Sequence, residues 1–225
     1  MRIILLWPVD TLIETGEEVI GVMDGDYPPD LFLAELFSGI FGLVVTLNLR
    51  VEPYQLVALW ICGAIVRFLS LYILDRAGQP RVRMQFMLVL YGWSRRVMML
   101  MTGLFIGGML TIMNSVMGIV FVAIGMIGII RKGDKMQSQM KKQAESPMNR
   151  LFGFLTVIIL VIVGLFYDPQ LFTLLQYFTT ILTLIFIIVA LRRWKNKRRQ
   201  QVWNLLFMVL AVIVLWVSPL IMHIL

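Results

Sequence analysis

The sequence predicts an all-α protein: a polytopic transmembrane helical bundle of about seven spans (six to seven), preceded by a short N-terminal amphipathic helix. Three observations lead there. Hydrophobic residues make up 60% of the 225, and charged residues only 15%, where a soluble domain carries about 25% charge. Mean hydropathy is +0.87. The apolar residues fall in long blocks separated by short polar or basic segments, the pattern of helices solvated by lipid. No polar stretch is long enough for a separate soluble domain, so the chain divides into an acidic arm, 1–30, and a transmembrane helical domain, 31–225.

Residues 1–30 do not read as a cleavable signal. The apolar stretch Ile3–Val9 is short, Pro8 interrupts it, and no small-residue cleavage site follows. Thr11 and Glu14 have capping-box spacing. Leu12, Gly16, Val19, Ile20 and Met23 then share one helical face, with Glu14, Glu17 and Glu18 mostly off it. An amphipathic helix at the membrane surface or against a partner is expected. Asp24-Gly25-Asp26-Tyr27-Pro28-Pro29-Asp30 reads as a solvated turn. Its three acids lack the further ligands of a calcium loop.

The first span is Leu31–Asn48, where Ser38 and Gly42 form a small-xxx-small pair suited to close helix contact. Glu35 lies about one turn in, within reach of the headgroups. The second span, Tyr54–Leu74, holds Arg67 about two turns from its far end. Arg67 either snorkels toward the nearby interface or forms an intramembrane ion pair, for which Glu35 is the obvious partner.

Residues 84–96 read as an interfacial helix carrying the pair Arg95-Arg96. A crossing that buried these arginines would cost roughly 2.5–3.5 kcal/mol for each on an insertion scale. Val97–Ile130 is free of charge. It is read as a hairpin, Val97–Met113 and Ser115–Ile130, whose Gly103, Gly107, Thr111, Ser115 and Gly118 recur as a small-residue stripe for helix packing. Met109, Met113 and Met117 repeat at helical spacing; thioethers suit Cu(I), but packing is the plainer role, and no metal or cofactor is expected.

The fifth span is Leu151–Tyr167, the sixth Leu171–Leu191 and the seventh Val202–Met222. In the sixth, Thr173, Gln176, Tyr177, Thr180 and Thr183 fall near one face, suited to bonding a neighbouring helix or lining a pore. Possible intramembrane polar or pore residues are therefore Glu35, Arg67, Arg95, Arg96, Gln176, Thr180 and Thr183.

Charge is segregated along the chain. Seven acids lie within residues 1–30, and no lysine precedes Lys132. Basic segments at 75–83, 131–150 and 192–201 are placed on the cytoplasmic side of a bacterial-type inner membrane by the positive-inside rule. Seven spans then put the N-terminus inside and the C-terminus outside. Arg192, Arg193, Lys195, Lys197, Arg198 and Arg199 form the densest basic run. Its expected contacts are anionic lipid headgroups or partner proteins; no nucleic-acid motif accompanies it.

Catalytic signatures are missing. There is no phosphate loop or dinucleotide fingerprint. With His223 as the single histidine, no His-Glu-x-x-His zinc motif is possible, and Cys62, the single cysteine, has no partner for a disulfide within the chain. The expectation is a non-enzymatic membrane subunit that assembles with itself or with partners. The alternative is a small channel, pore-forming protein or transporter using the polar residues within the spans.

Overall fold

The computed structural model describes residues 4–49, 51–77, 84–113, 120, 123–127, 147–192 and 198–224. All regular elements among them are helical. A 3-10 turn, Ile4–Leu6, leads into α1 (Trp7–Asp24). There follow α2 (Pro29–Asn48), α3 (Pro53–Ala77), α4 (Met84–Met113), α5 (Pro147–Tyr167), α6 (Pro169–Arg192) and α7 (Arg198–Ile224). Helices α2 to α7 provide six stretches long and apolar enough to cross a membrane. The chain is a multi-pass membrane protein built as an all-α bundle. The expected span Ser115–Ile130 lies largely outside the described residues, as do Ser115 and Gly118.

Helix α2 is the centre of the bundle. Leu31, Phe32, Leu33, Ala34 and Phe37 are all at most 1% exposed, so successive residues around the whole helix are covered. A helix apolar on every side belongs in a core rather than at a surface. One side of α2 joins an apolar core with Leu171, Phe172, Leu175 and Phe186 of α6 and Met208 and Leu215 of α7. Its other side packs along α4, the most extensive helix pair among the described residues. The outer faces of α3, α5, α6 and α7 carry exposed Ile, Leu, Val and Phe, such as Ile61, Ile65, Phe68, Ile159, Ile181 and Ile213. Such faces suit contact with lipid.

Glycines set the α2–α4 distance. A Cβ added at Gly103 would collide with the Gly39 carbonyl oxygen, and one at Gly42 would strike the Leu100 carbonyl oxygen and stand 2.9 Å from the Leu104 nitrogen. At Gly107 it would stand 2.8 Å from the Leu43 carbonyl oxygen and collide with Oγ1 of Thr46. Backbone thus lies on backbone, the arrangement that gives helices dispersion contacts where lipid supplies no hydrophobic drive. Gly39, rather than Ser38, passes over Gly103; the Ser38 hydroxyl donates back to the Ala34 carbonyl at 2.7 Å. Thr111 is exposed and, among the described residues, its hydroxyl bonds within α4, donating to Gly108 O at 2.8 Å.

Two expectations are corrected here. Residues 84–96 are not an interfacial helix leading into a separate span; they continue without a break into α4, and its apolar stretch runs Phe86–Ile112 with Arg95 and Arg96 inside it. The acidic arm also turns the opposite way. Trp7, Thr11, Glu14 and Glu18, at successive helical positions, form the buried face of α1, so the carboxylates point inward.

Candidate functional site

The buried charges collect where α1, α2, α3 and α4 meet. Local sequence explains how α1 comes to lie there. The Trp7 indole is fully buried on α3, where its N–H donates to Trp60 O at 2.9 Å. A side chain at Gly63 would run into that indole, so Gly63 is its seat. The Trp60 indole N–H returns the bond to Leu5 O at 3.0 Å. Further along α1, the Thr15 hydroxyl reaches the Met99 sulfur of α4 at 3.3 Å.

The far end of α1 is stopped by Gly25, whose φ of 80° is the left-handed conformation that glycine adopts without a Cβ penalty. Its N–H donates to Val22 O, and those of Asp26 and Tyr27 donate to Gly21 O at 2.8 and 3.0 Å. The chain therefore folds back so that Tyr27 lies over Gly21, the residue whose missing side chain leaves it room. The Tyr27 hydroxyl then donates to Glu35 Oε1 at 3.2 Å. The segment is not a solvated turn: Tyr27 is 1% exposed and Asp30 5%. Asp30 faces Arg150 of α5, with Oδ2 to Nε at 3.5 Å.

Arg67 of α3 is bidentate on Glu14, with Nη1 to Oε2 at 2.9 Å and Nη2 to Oε1 at 2.5 Å. Arg95 of α4 bonds Glu14 through Nη1 and Glu18 through Nη2, and Nη2 also approaches Glu35 Oε2 at 3.4 Å. The expected Glu35–Arg67 pair is thus replaced by Glu14–Arg67, with Glu35 on Arg95. Arg67 does not snorkel; it is 2% exposed. Three carboxylates enclose two guanidiniums, all inside the protein. The fork of each guanidinium satisfies two acceptors at once, which is the geometry that offsets the desolvation of such charges.

The excess of acid has an electrostatic consequence. Burial pushes the Glu18 carboxyl well above its usual range; Arg95 opposes this, while Glu35 and Glu14 add to it. Burial, followed by Glu35 and Glu18, likewise raises the Tyr27 phenol.

Arg96 is separate. It is 3% exposed, and its Nη2 reaches Asn149 O and Oδ1 of α5 at 3.4 Å each. Its guanidinium also stacks 5.2 Å from the Trp93 ring centroid. Its Nε and Nη1 find no hydrogen-bond partner among the described residues. Asn149 fits against α4 because Gly92 has no side chain; a Cβ there would overlap the Asn149 amide.

The polar stripe of α6 closes onto α7. Pro219 lies inside α7 and has no N–H for the carbonyl four residues earlier, Leu215. Gln176 Nε2 supplies the missing bond to Leu215 O at 2.8 Å. The Ser218 hydroxyl adds a second at 3.2 Å. The Trp216 indole donates to Thr180 Oγ1 at 3.0 Å. Thr183 is buried, and its hydroxyl has no partner among the described residues.

Among the candidate residues the structure thus gathers Glu35, Arg67 and Arg95 into one network, sets Arg96 beside it, and leaves Gln176, Thr180 and Thr183 on another interface. Arg192, Arg198 and Arg199 lie at helix ends, while Arg193, Lys195 and Lys197 lie outside the described residues. Glu14 and Glu18 are the members that sequence reasoning placed elsewhere. The signal for them was available: two intramembrane arginines demand carboxylates, and Trp7, Thr11, Glu14 and Glu18 recur at helical spacing. Among the described residues no three His, Cys, Asp or Glu side chains are arranged to hold a metal ion. Comparisons with protein-family models, with curated proteins and with solved structures returned no match.

Proposed function

We propose that this chain is a non-enzymatic subunit of a bacterial-type cytoplasmic membrane that assembles with copies of itself or with partner membrane proteins. The observation that supports this reading is the buried ion network. Arg67, Arg95, Glu14, Glu18 and Glu35 are all at most 4% exposed and turned onto one another. Charges used in this way pin α1 to α4 in one register and are turned mainly onto one another, with Glu18 Oε2 and Arg67 Nε having no hydrogen-bond partner among the described residues. The Gln176–Leu215 and Trp216–Thr180 bonds serve α6 and α7 in the same manner. The basic segments 75–83, 131–150 and 192–201 are assigned, from their charge, the docking of anionic headgroups or partners. In this reading the basic loops and N-terminus face the cytoplasm and the C-terminus the other side.

Mild-detergent purification of the full chain, followed by mass measurement of the intact particle, tests it. The expected result is a homo-oligomer or a stoichiometric complex; a lone monomer with no partner overturns it.

A transport reading draws on one observation, the buried Arg96, whose Nε and Nη1 have no hydrogen-bond partner among the described residues. It requires that the purified chain in liposomes pass anions or a small anionic solute, and that Arg96→Gln abolish the flux. Unchanged permeability removes it.

A further inference from the structure

Glu18 of α1 and Glu35 of α2 meet in a way that disfavours two ionised carboxylates. Each residue is 2% exposed. Arg95 Nη2 donates to Glu18 Oε1 and lies 3.4 Å from Glu35 Oε2, so one nitrogen serves both. The two carboxyl groups also come within hydrogen-bonding reach of each other. The Tyr27 hydroxyl donates to the other Glu35 oxygen at 3.2 Å, whereas Glu18 Oε2 has no donor among the described residues. An ionised carboxylate can only accept, and two of them in contact repel. A proton on one carboxyl turns it into a donor to the other and removes a buried charge. No molecule has to enter for this: a proton exchanges with water through local openings of the fold.

We propose that Glu18 and Glu35 share one proton, and that this proton latches the end of α1 to α2. The surrounding groups are Glu14 on α1 itself, Tyr27 of the turn, Arg67 of α3, and Tyr91 and Arg95 of α4, with Arg96 acting on Glu35. Toward α6 and α7, α1 presents Val19, Val22 and Met23 of the apolar core. Arg67 and Arg95 Nη1 are both engaged on Glu14. The Nη2 edge of Arg95 is thus left to two carboxyl groups. Burial of Glu18, which pushes its carboxyl above the ordinary range, acts in the same direction. As pH rises the proton leaves, two like charges remain on Arg95 Nη2, and α1 is held to α2 less firmly. The latch lies within one chain and does not depend on the assembly reading.

Infrared spectroscopy of the full chain in bicelles, titrated upward from the ordinary carboxyl value of 4.5, tests the proposal at the C=O stretch of protonated carboxylic acids. The wild type is expected to show a band that shifts in heavy water and vanishes as pH rises. Glu18→Gln should remove it. Glu35→Gln should lower its midpoint by at least about one pH unit, the size of a coupled pair. A glutamine amide donates an N–H without a charge, so both variants keep the contact. Tyr27→Phe should raise the midpoint, because ionised Glu35 loses a donor. Asp30→Asn should leave the band in place. No band in the wild type, a band that survives Glu18→Gln or is lost in Asp30→Asn, or a midpoint unmoved by Glu35→Gln overturns the shared proton. Should Glu35→Gln fail to fold, Tyr27→Phe decides, and an unmoved midpoint there overturns it. The latch has its own readout. The decline of unfolding free energy with rising pH should flatten in Glu35→Gln, and a decline of wild-type size would overturn it.

Discussion

The two sides of α2 hold the bundle together by different means. Toward α1, α3 and α4, glycines bring backbones into contact and carboxylates meet guanidiniums. Toward α6 and α7, phenyl rings and leucines fill the space, with Phe32 and Phe186 tilted against each other at 6.1 Å, and among the described residues two side-chain hydrogen bonds join α6 to α7. The contrast teaches what fixes register in lipid. Apolar surfaces in a bilayer gain little from touching one another, so a helix pair slides unless shape or polarity stops it. The first side has both devices. The second relies on shape and on two hydrogen bonds between α6 and α7, one of them to the carbonyl that Pro219 leaves open.

If that contrast is right, the largest effect comes from unbalancing the ion-paired side. Arg95→Leu leaves Glu14, Glu18 and Glu35 without a shared cation and is expected to cost about 3–5 kcal/mol. Steric-trap unfolding in bicelles measures it, and a change below 1 kcal/mol, on the order of an exposed pair, would place these charges in water. Gly103→Val comes next. Its side chain meets the Gly39 carbonyl, so α2 and α4 must separate, at a cost of about 1–3 kcal/mol. Cysteine crosslinking between α2 and α4 should fall in the variant, and undiminished crosslinking would contradict the close approach.

On the other side the effects are smaller. Gln176→Leu should cost about 0.6–1.7 kcal/mol, the range for a hydrogen bond between membrane helices. Its sharper test is Pro219→Ala, which restores the helical N–H to Leu215 O. In that background the same substitution should cost less, and equal costs in the two backgrounds would show that Gln176 does not serve the proline gap.

The comparison also has a pH signature. Glu18 is surrounded by Glu14 on its own helix, Glu35 of α2, Arg95 and Tyr91 of α4, and Tyr27 of the turn. Its folded pKa is raised above the unfolded value of 4.5. The folded state then holds a proton that the unfolded state has released. The stabilisation is present in full below pH 4.5 and is lost as pH rises from there through the folded pKa. Unfolding free energy should therefore decline with rising pH over that window, and Glu18→Gln should flatten the decline. An identical slope in the variant would assign the proton elsewhere.

Much of the frame was legible in the residues. Long apolar blocks announce membrane helices, because backbone in lipid has few other options. The Gly103/Gly107 spacing marks a face suited to close approach, although only three dimensions identify Gly39 as the residue beneath Gly103. The ion network was legible in its arginines but not in its partners. Glu14 and Glu18 lie in a segment whose composition resembles a surface helix, and hydropathy counts a carboxylate as polar whether or not a guanidinium neutralises it. That omission also broke α4 in two at Arg95 and Arg96, since the insertion cost of an arginine looks prohibitive until its counter-charge is found. Pro219 lies inside the expected span Val202–Met222, but that a glutamine from α6 fills the gap it leaves at Leu215 O could be seen only in three dimensions.

The central claim is that the buried charges close on one another. A double-mutant cycle on Arg67 and Glu14, with Arg67→Met, Glu14→Gln and the double variant unfolded in the same bicelles, tests it most directly. Glu14 is the carboxylate that Arg67 grips in the structure. The account predicts a coupling of at least about 1.5 kcal/mol, the lower end for close charge pairs shielded from solvent. Additive single-variant costs, with coupling near zero, would contradict it.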